Sequence, residues 1–180
     1  MNVNMSEIEY IFQKSFHLDE DAIIAFIENL CKVSRDELAN QANPRKFALQ
    51  NLVEVADLNM DRIRYVWGRI WRLLSEHFCL VGSHANLMVA IYAIDSLRQL
   101  ADKFLLKEEF KSFNFQKDFL KPFETIMLNN LHTRSEIKDY IVMCVANICG
   151  TKTAAIKSGW SVIINIFTLA AQDTEEHLVV

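Results

Sequence analysis

Apolar residues recur every three to four positions along most of the chain, which is the spacing of one face of an α-helix. The longest example runs over residues 86–106 without an error in phase. A second apolar stripe covers residues 62–81 and is followed by Gly82, a residue type that often ends helices. The pattern therefore predicts a series of amphipathic helices.

Capping residues predict where several of these helices begin. Asp19 precedes an apolar stripe and is followed by further acidic residues, which favour the first turn of a helix. Ser34 with Glu37 has the spacing of a capping box, so a new helix is expected to start there. Thr133 with Glu136 has the same spacing and predicts another start.

Prolines and glycines predict further boundaries. Pro44 is expected at the first position of a helix, whereas Pro122 would remove a hydrogen bond inside a helix and predicts a break or kink before it. Gly150 is expected to end a helix, and the last helix is expected to begin near Gly159. Gly68 lies inside a predicted helix, where we expect a neighbouring helix to approach closely.

Short connections between the predicted helices favour antiparallel neighbours. Blocks with an aromatic-led first helix begin at residues 71, 123 and 160, and the last two are spaced much like HEAT and armadillo repeats. We therefore expect an all-α fold of stacked antiparallel helix pairs, a HEAT/armadillo-like right-handed α-solenoid fragment. Residues 1–18 are expected to form a helical or partly ordered lead-in, and residues 19–180 a single helical-repeat domain. The apolar residues 178–180 suggest a piece of a longer array, because a solenoid end is usually polar.

The composition excludes several other classes of protein. Four Gly and two Pro in 180 residues are too few for turn-rich β folds or glycine-rich phosphate loops; an average chain would hold roughly 12 Gly and roughly 9 Pro. A net charge of −4 gives no reason to expect nucleic acid binding. The cysteines form no C-x-x-C pair and are typical of reduced thiols in an intracellular protein. No signal peptide opens the chain, and the longest apolar stretch is about half a membrane span, so a soluble protein is expected.

Candidate catalytic residues form no recognisable motif. His77, Cys79 and His84 are close in sequence and could hold a metal, but His77 and Cys79 diverge on a helix, so packed histidines are favoured. Cys144 and Cys149 face different sides of their helix, which argues against a dithiol site. A Cys–His nucleophile whose members meet only in the fold stays open. We assign no catalytic, cofactor-binding or metal-binding residue.

Two polar stripes are candidate binding surfaces. Asp95, Arg98 and Asp102 share one helical face and could contact a partner, although ion pairs among themselves are favoured. A group of arginines could suit phosphate or anionic lipid, although a solvated face with the nearby tryptophans in the core is favoured. This arginine group contains Arg62, Arg64, Arg69 and Arg72.

An aromatic stretch over residues 110–123 interleaves phenylalanines with lysines. This composition could bind a partner helix or a membrane surface. The favoured interpretation is a loop and short helix that fold their aromatic side chains back over the core. The residues themselves thus indicate a helical-repeat interaction module.

Several longer strings are similar to one protein family. They are residues 59–64 (NMDRIR) with Trp67 and residues 69–71 (RIW), residues 93–100 (AIDSLRQL), residues 113–124 (FNFQKDFLKPFE) and residues 157–160 (KSGW). The chain resembles the brefeldin A-inhibited, large Golgi-type guanine nucleotide exchange factors for ADP-ribosylation-factor (Arf) GTPases. More narrowly, it is similar to the helical region immediately downstream of their catalytic exchange domain, from about Asp19 to the end of the chain.

The resemblance implies a noncatalytic regulatory region, because the exchange reaction belongs to the upstream domain and no string here matches its catalytic loop. It implies recruitment to Golgi and trans-Golgi membranes, as a cytoplasmic peripheral protein, through membrane-bound GTP-loaded Arf. Other domains of the same exchange factor are further implied partners, and an anionic membrane surface is an additional candidate. No cofactor and no nucleic acid are expected.

Candidate partner-binding residues are polar positions of the similar strings that the helical stripes leave unburied. They are Arg98, Gln99, Gln116, Lys117 and Asp118. The competing hypothesis is that these groups hold adjacent helix pairs together within the chain. A small α-helical enzyme with a Cys–His site, and a module that binds a lipid surface, are the alternative functions.

Overall fold

The computed structural model describes residues 5–40, 43–62, 64–107, 115–130 and 134–172. These residues form α-helices and two short 3-10 turns and include no β-strand, which confirms the predicted all-α class. The arrangement of the helices as a right-handed solenoid stays a prediction.

The helices follow one another with short connections. They are α1 Met5–Gln13, α2 Glu20–Leu38, α3 Phe47–Asn59, α4 Arg64–Gly82, α5 Leu87–Phe104, α6 Phe115–Asn129, α7 Ser135–Lys152 and α8 Trp160–Ala171. The 3-10 turns are Lys14–His17, after α1, and Thr153–Ala155, after α7.

The chain divides into two compact units, residues 1–77 and residues 78–180, and the division falls inside α4. In the first unit, α3 contacts α2, α1 and the 3-10 turn that follows α1. In the second unit, α5 packs against α7, and α6 packs against α8. The predicted lead-in of residues 1–18 and single domain of residues 19–180 stay predictions.

The predicted apolar stripes form the buried cores of these units. The fully buried stripe of α5 includes Ala90, Ile94, Leu97 and Ala101, as its spacing predicts. Burial of a large aliphatic or aromatic side chain stabilises a fold by about 1.5–3 kcal/mol. The helices are therefore held mainly by packing, since isolated helices of this length are only marginally stable.

Asp19 begins a helix as predicted. Its side chain accepts a hydrogen bond from the Ala22 amide at 2.8 Å, and Glu20 and Asp21 lie in the first turn of α2. The acidic side chains favour this end of the helix because its amide groups carry partial positive charge.

The helix start predicted at Ser34 is wrong, because α2 continues through Ser34 and Glu37 to Leu38. Ser34 is fully buried, and its Oγ lies 2.9 Å from His77 Nε2 on α4. The Glu37 carboxylate instead accepts a hydrogen bond from the Ala48 amide at 2.8 Å, near the start of α3. Glu37 therefore satisfies an amide at the beginning of a different helix.

Of the break or kink predicted before Pro122, the break is wrong, because α6 runs through Pro122 as one helix; a kink stays a prediction. Proline inside a helix costs about 3 kcal/mol through the missing N–H and the crowding of its ring. However, Phe119, Phe123 and Ile126 of the same helix are fully buried. Since each such side chain contributes about 1.5–3 kcal/mol, packing outweighs the local penalty.

Two glycines at helix boundaries are required by close packing. Gly82 ends α4 as predicted, and a Cβ there would overlap the Ile126 side chain of α6. Gly159 immediately precedes α8 as predicted, and a Cβ there would lie 2.9 Å from Leu120 Cδ1. Neither glycine has a positive φ, so the absence of a side chain is what matters at both positions.

Three other predicted boundary features need correction. The helix α7 continues through Gly150 to Lys152, so Gly150 does not end it. A Cβ at Gly68 would have no neighbouring atom within 4 Å, so the predicted close approach there is wrong. Pro44 precedes α3, which begins at Phe47, instead of occupying its first turn. Thr133 and residues 178–180 lie outside the described residues.

His77 is buried between α2 and α4 in the first unit. Burial, reinforced by the positive charge of Arg35, lowers the pKa of His77 from 6.5 to about 4. Its Nδ1 atom has no hydrogen-bond partner among the described residues. The folded chain therefore holds His77 neutral at pH values where an exposed histidine takes up a proton.

We expect the free energy of unfolding to fall as the pH drops from 6.5 toward 4. The unfolded chain binds a proton at His77 below pH 6.5, whereas the folded chain resists protonation until about pH 4. This difference corresponds to at most about 3 kcal/mol. Urea denaturation at about pH 7 and about pH 4.5 should show a smaller acid-induced loss for His77→Gln than for the wild type. The exposed His17, replaced by Gln, is the control; an unchanged pH dependence in His77→Gln would contradict the assignment.

Alanine substitutions at Gly68 and Gly82 should have opposite effects on stability. Gly68→Ala adds a methyl group to an exposed helix position with open space and should stabilise the chain by up to about 1 kcal/mol. Gly82→Ala forces the Ile126 side chain to move and should cost about 1–3 kcal/mol. Thermal unfolding measures both, and equal shifts of the melting temperature would show that α4 and α6 do not meet closely at Gly82.

Candidate functional site

One candidate site is a polar network on α5 and α7, formed by Asp95, Arg98, Gln99, Asp102 and Tyr140. Spacings of three and four residues place the α5 members on one helical face, away from the buried stripe. Tyr140 joins them from α7, which packs against α5. We call this group the α5–α7 network.

Asp95 is the acceptor at the centre of the α5–α7 network. Its Oδ1 accepts hydrogen bonds from Arg98 Nε at 2.9 Å and from Tyr140 Oη at 3.3 Å. Its Oδ2 accepts one from Gln99 Nε2 at 2.7 Å. Arg98 also donates through Nη1 to Asp102 Oδ2 at 3.1 Å. The ion pairs expected from sequence are therefore present, and they extend to a second helix through Tyr140.

The network fixes the charge state of its members. Burial raises the pKa of Asp95, but the hydrogen bonds from Gln99 and Arg98 outweigh burial and hold that pKa below its usual value. The hydrogen bond to Asp95 raises the pKa of Arg98. Burial, followed by the charge of Asp95, raises the pKa of Tyr140. At neutral pH the network thus holds a carboxylate, a guanidinium and a neutral phenol.

The buried thiols are protonated at neutral pH. Burial raises the pKa of Cys144, which lies beside the network, to about 11, and that of Cys31 to about 12. A cysteine nucleophile needs the opposite shift, because the thiolate is the reactive form. These two cysteines therefore pack as small apolar residues.

The second candidate site is the α6–α8 joint, formed by Gln116, Lys117 and Leu120 of α6 together with Ser158 and Gly159 before α8. Gln116 is fully buried, which differs from its expected exposure. Its Nε2 donates to the Ala155 carbonyl at 2.9 Å, and its Oε1 accepts from the Lys157 amide at 2.7 Å. The connection before α8 buries Gln116, and helical spacing within α6 gives no sign of this.

The remaining members of the joint belong to two of the strings that are similar to the exchange-factor family. The Lys117 amide, in the first turn of α6, donates to Ser158 Oγ at 3.2 Å. Gly159 packs against Leu120 at a distance that leaves no room for a side chain. The strings at residues 113–124 and 157–160 therefore contact each other directly.

The five predicted site residues differ in accessibility. Gln99, Lys117 and Asp118 are exposed, Arg98 is half-buried within its ion pairs, and Gln116 is buried. Arg98 and Gln99 lie together in the α5–α7 network, whereas Lys117 and Asp118 lie in the first turn of α6. Sequence reasoning missed Tyr140 and Ser158, because each acts across a helix contact that spacing along the chain does not reveal.

Two arginines of the predicted group, Arg62 and Arg69, are engaged within the chain, whereas Arg72 is exposed. Arg62 donates to the carbonyl of Leu18 at 2.7 Å and to Asn59 Oδ1 at 2.6 Å. Arg69 lies 3.0 Å from the carboxylate of Glu20 and 3.5 Å from that of Asp21. These contacts reduce the charge available for phosphate or anionic lipid. The side chain of Arg64 lies outside the described residues.

The aromatic residues near these arginines and in the Phe–Lys stretch mostly serve the cores. Trp67 and Trp71 are buried and stacked, with ring centroids 6.0 Å apart. The ring of Phe104 stacks on Phe119 at 4.2 Å and meets Phe115 edge-on at 4.9 Å. The folded-back arrangement is thus confirmed for Phe115 and Phe119, whereas residues 110–114 lie outside the described residues.

Within the described ranges, no helix combines the length and the apolar character that crossing a membrane requires. Across those same parts of the chain, no group of three or more His, Cys, Asp or Glu side chains is placed to hold a metal ion.

The chain is similar to a defined group of large proteins. Residues 103–180 match the family described as Mon2/Sec7/BIG1-like, HDS. Brefeldin A-inhibited guanine nucleotide-exchange protein 1 of Homo sapiens is 48% identical over 172 residues, which are 96% of this chain and 9% of that protein. The proteins of that name numbered 1 and 3 in Arabidopsis thaliana are each 43% identical, over 96% and 99% of this chain and 10% of their own length.

The chain therefore spans about a tenth of the length of these relatives. The α6–α8 joint and Tyr140 lie inside the range that matches the HDS family, whereas Asp95 and Arg98 precede it. The predicted resemblance is confirmed: the chain is similar over 96% of its length to brefeldin A-inhibited guanine nucleotide-exchange protein 1 of Homo sapiens, and its residues 103–180 match the HDS family.

Proposed function

We propose that this chain is a noncatalytic regulatory and interaction region of a guanine nucleotide exchange factor for Arf GTPases in Golgi vesicle trafficking. The observation that carries the proposal is the 48% identity, over 96% of the chain, to a protein named for guanine nucleotide exchange. The ion-paired α5–α7 network and the protonated thiols of Cys31 and Cys144 support a binding role, because neither supplies an activated nucleophile.

The proposed partner is membrane-bound, GTP-loaded Arf, whose binding recruits the cytoplasmic exchange factor to Golgi and trans-Golgi membranes. Other domains of the same exchange factor are further proposed partners and give the region a role in autoregulation. No cofactor and no nucleic acid form part of the proposal.

The proposed contact residues are Lys117 and Asp118, followed by Arg98 and Gln99. Lys117 and Asp118 combine exposed side chains with a main chain that the α6–α8 joint holds in place. A charged pair on a fixed helical turn loses little entropy when it binds. Gln116 supports this surface from inside as a positioning residue, because both ends of its amide are engaged within the chain.

A lipid-binding module is the second candidate function. The exposed Lys117 and Lys121 favour it, since lysines near a membrane surface attract anionic lipids. The buried aromatic residues Phe119 and Phe123 oppose it, because side chains inside the core cannot insert into a bilayer.

We expect a charge swap, Lys117→Glu with Asp118→Lys, to weaken binding to GTP-loaded Arf about tenfold. The swap keeps the net charge and changes only exposed side chains. Flotation with anionic liposomes that carry GTP-loaded or GDP-loaded Arf measures binding. The matched control is Glu28→Lys with Lys32→Glu, which also keeps the net charge at two exposed positions of α2, and Gln116→Ala should lower the melting temperature before it affects binding.

The outcomes separate the candidate functions. Flotation of the wild type with liposomes that lack Arf would favour the lipid module. Failure of the wild type to float with GTP-loaded Arf would contradict recruitment by Arf. Wild-type binding that the charge swap leaves intact would reject Lys117 and Asp118 as contacts while preserving the proposed function.

A further inference from the structure

Residues 5–18 form a short strap on the first unit, consisting of α1, the 3-10 turn and Leu18. Large apolar side chains of this strap face solvent: Tyr10 is 58% exposed, Ile11 57% and Phe16 47%. Phe12 and Ser15 are the buried side chains among residues 9–18. The strap therefore leaves much of its apolar surface outside the fold.

Phe12 fills an aromatic slot between α2 and α3. Its ring centroid lies 5.9 Å from that of Phe26 on α2 and 6.1 Å from that of Phe47 on α3. Phe12 is buried, whereas Phe26 and Phe47 are half-buried and thus lie at the edge of the core. Withdrawal of Phe12 would open a surface slot lined by two aromatic rings.

Arg62, which follows α3, holds the C-terminal end of the strap. Its Nη2 atom donates to the carbonyls of Ser15 at 3.2 Å, Phe16 at 3.1 Å and Leu18 at 2.7 Å. Its Nε donates to Asn59 Oδ1 at 2.6 Å, and Asn59 Nδ2 donates to Ser15 Oγ at 3.0 Å.

Among residues 9–18, whose side chains the structure describes, Phe12 supplies the large buried side chain, and Arg62 bonds to three carbonyls of the same segment. Segments with few buried apolar contacts open locally at lower free energy than the core that they cover. Phe12 lies in the middle of the segment and the Arg62 contacts lie at its C-terminal end, so loss of either contact should loosen the segment.

We propose that residues 5–18 are a releasable strap, latched by Arg62, whose Phe12 blocks the aromatic slot formed by Phe26 and Phe47. In the closed form, Phe12 fills this slot. In the open form, the strap is detached, α2 and α3 stay folded, and the rings of Phe26 and Phe47 are uncovered. The latch sets the balance between the two forms.

Hydrogen exchange of the full chain, read by mass spectrometry, tests the latch. In Arg62→Met we expect exchange in residues 5–18 to rise about tenfold or more, while α2, α3 and α5–α8 keep their wild-type rates. Phe12→Ala should give the same local pattern by releasing the other contact. Arg72→Met is the matched control, because Arg72 is an exposed arginine of α4. Binding of an anilinonaphthalene sulfonate dye should rise in both strap variants as the slot opens.

Several results would overturn the proposal. Unchanged exchange of the strap in Arg62→Met would remove the latch, and an equal rise throughout α2 and α3 would make Arg62 a general stabiliser of the unit. If Arg62→Met does not fold, Arg62→Lys keeps the charge with fewer donors and should raise strap exchange by a smaller factor; no rise would count against the latch. Local opening without increased dye binding would reject the aromatic slot.

Discussion

The hydrogen bonds of one buried amide, that of Gln116, determine how the connection before α8 meets α6. A buried amide left without partners costs about 1–3 kcal/mol, so Gln116 is tolerated only where it meets donors and acceptors. The Ala155 carbonyl and the Lys157 amide supply them. The same packing of this connection against α6 brings Ser158 to the first turn of α6 and places Gly159 in contact with Leu120. The start of α8 and the exposed pair at Lys117 and Asp118 both depend on it.

The same physical device recurs in the first unit: a side chain of one element satisfies the main chain of another. Glu37 of α2 accepts from the Ala48 amide in α3, and Arg62 donates to carbonyls before α2. Apolar stripes bury helices but do not specify which ends meet, whereas such directional contacts do. The family-like strings contain several of these contacts. Part of their similarity to exchange proteins therefore reflects the fold.

Local rules predicted what local interactions control. The stripe of α5 and the cap at Asp19 depend on neighbours within a turn or two, so spacing alone was sufficient. The helix start predicted from Ser34 and Glu37 was wrong, because the side chains that suit a capping box also suit contacts with distant elements. The break predicted at Pro122 is absent because the penalty of a proline is local, whereas the burial that offsets this penalty is tertiary. The candidate site shows the same difference between local and tertiary effects. Lys117 is exposed as expected, but residues of a distant connection bury Gln116.

The most direct test is hydrogen exchange at the Lys157 amide of the wild-type chain, measured residue by residue by NMR. This amide lies in a connection outside any helix, and its bond to Gln116 Oε1 is 2.7 Å long. If the buried amide holds the connection, Lys157 exchanges about as slowly as amides inside α6 and α8. Exchange at the rate of an open loop would contradict the joint, and with it the fixed presentation of Lys117 and Asp118.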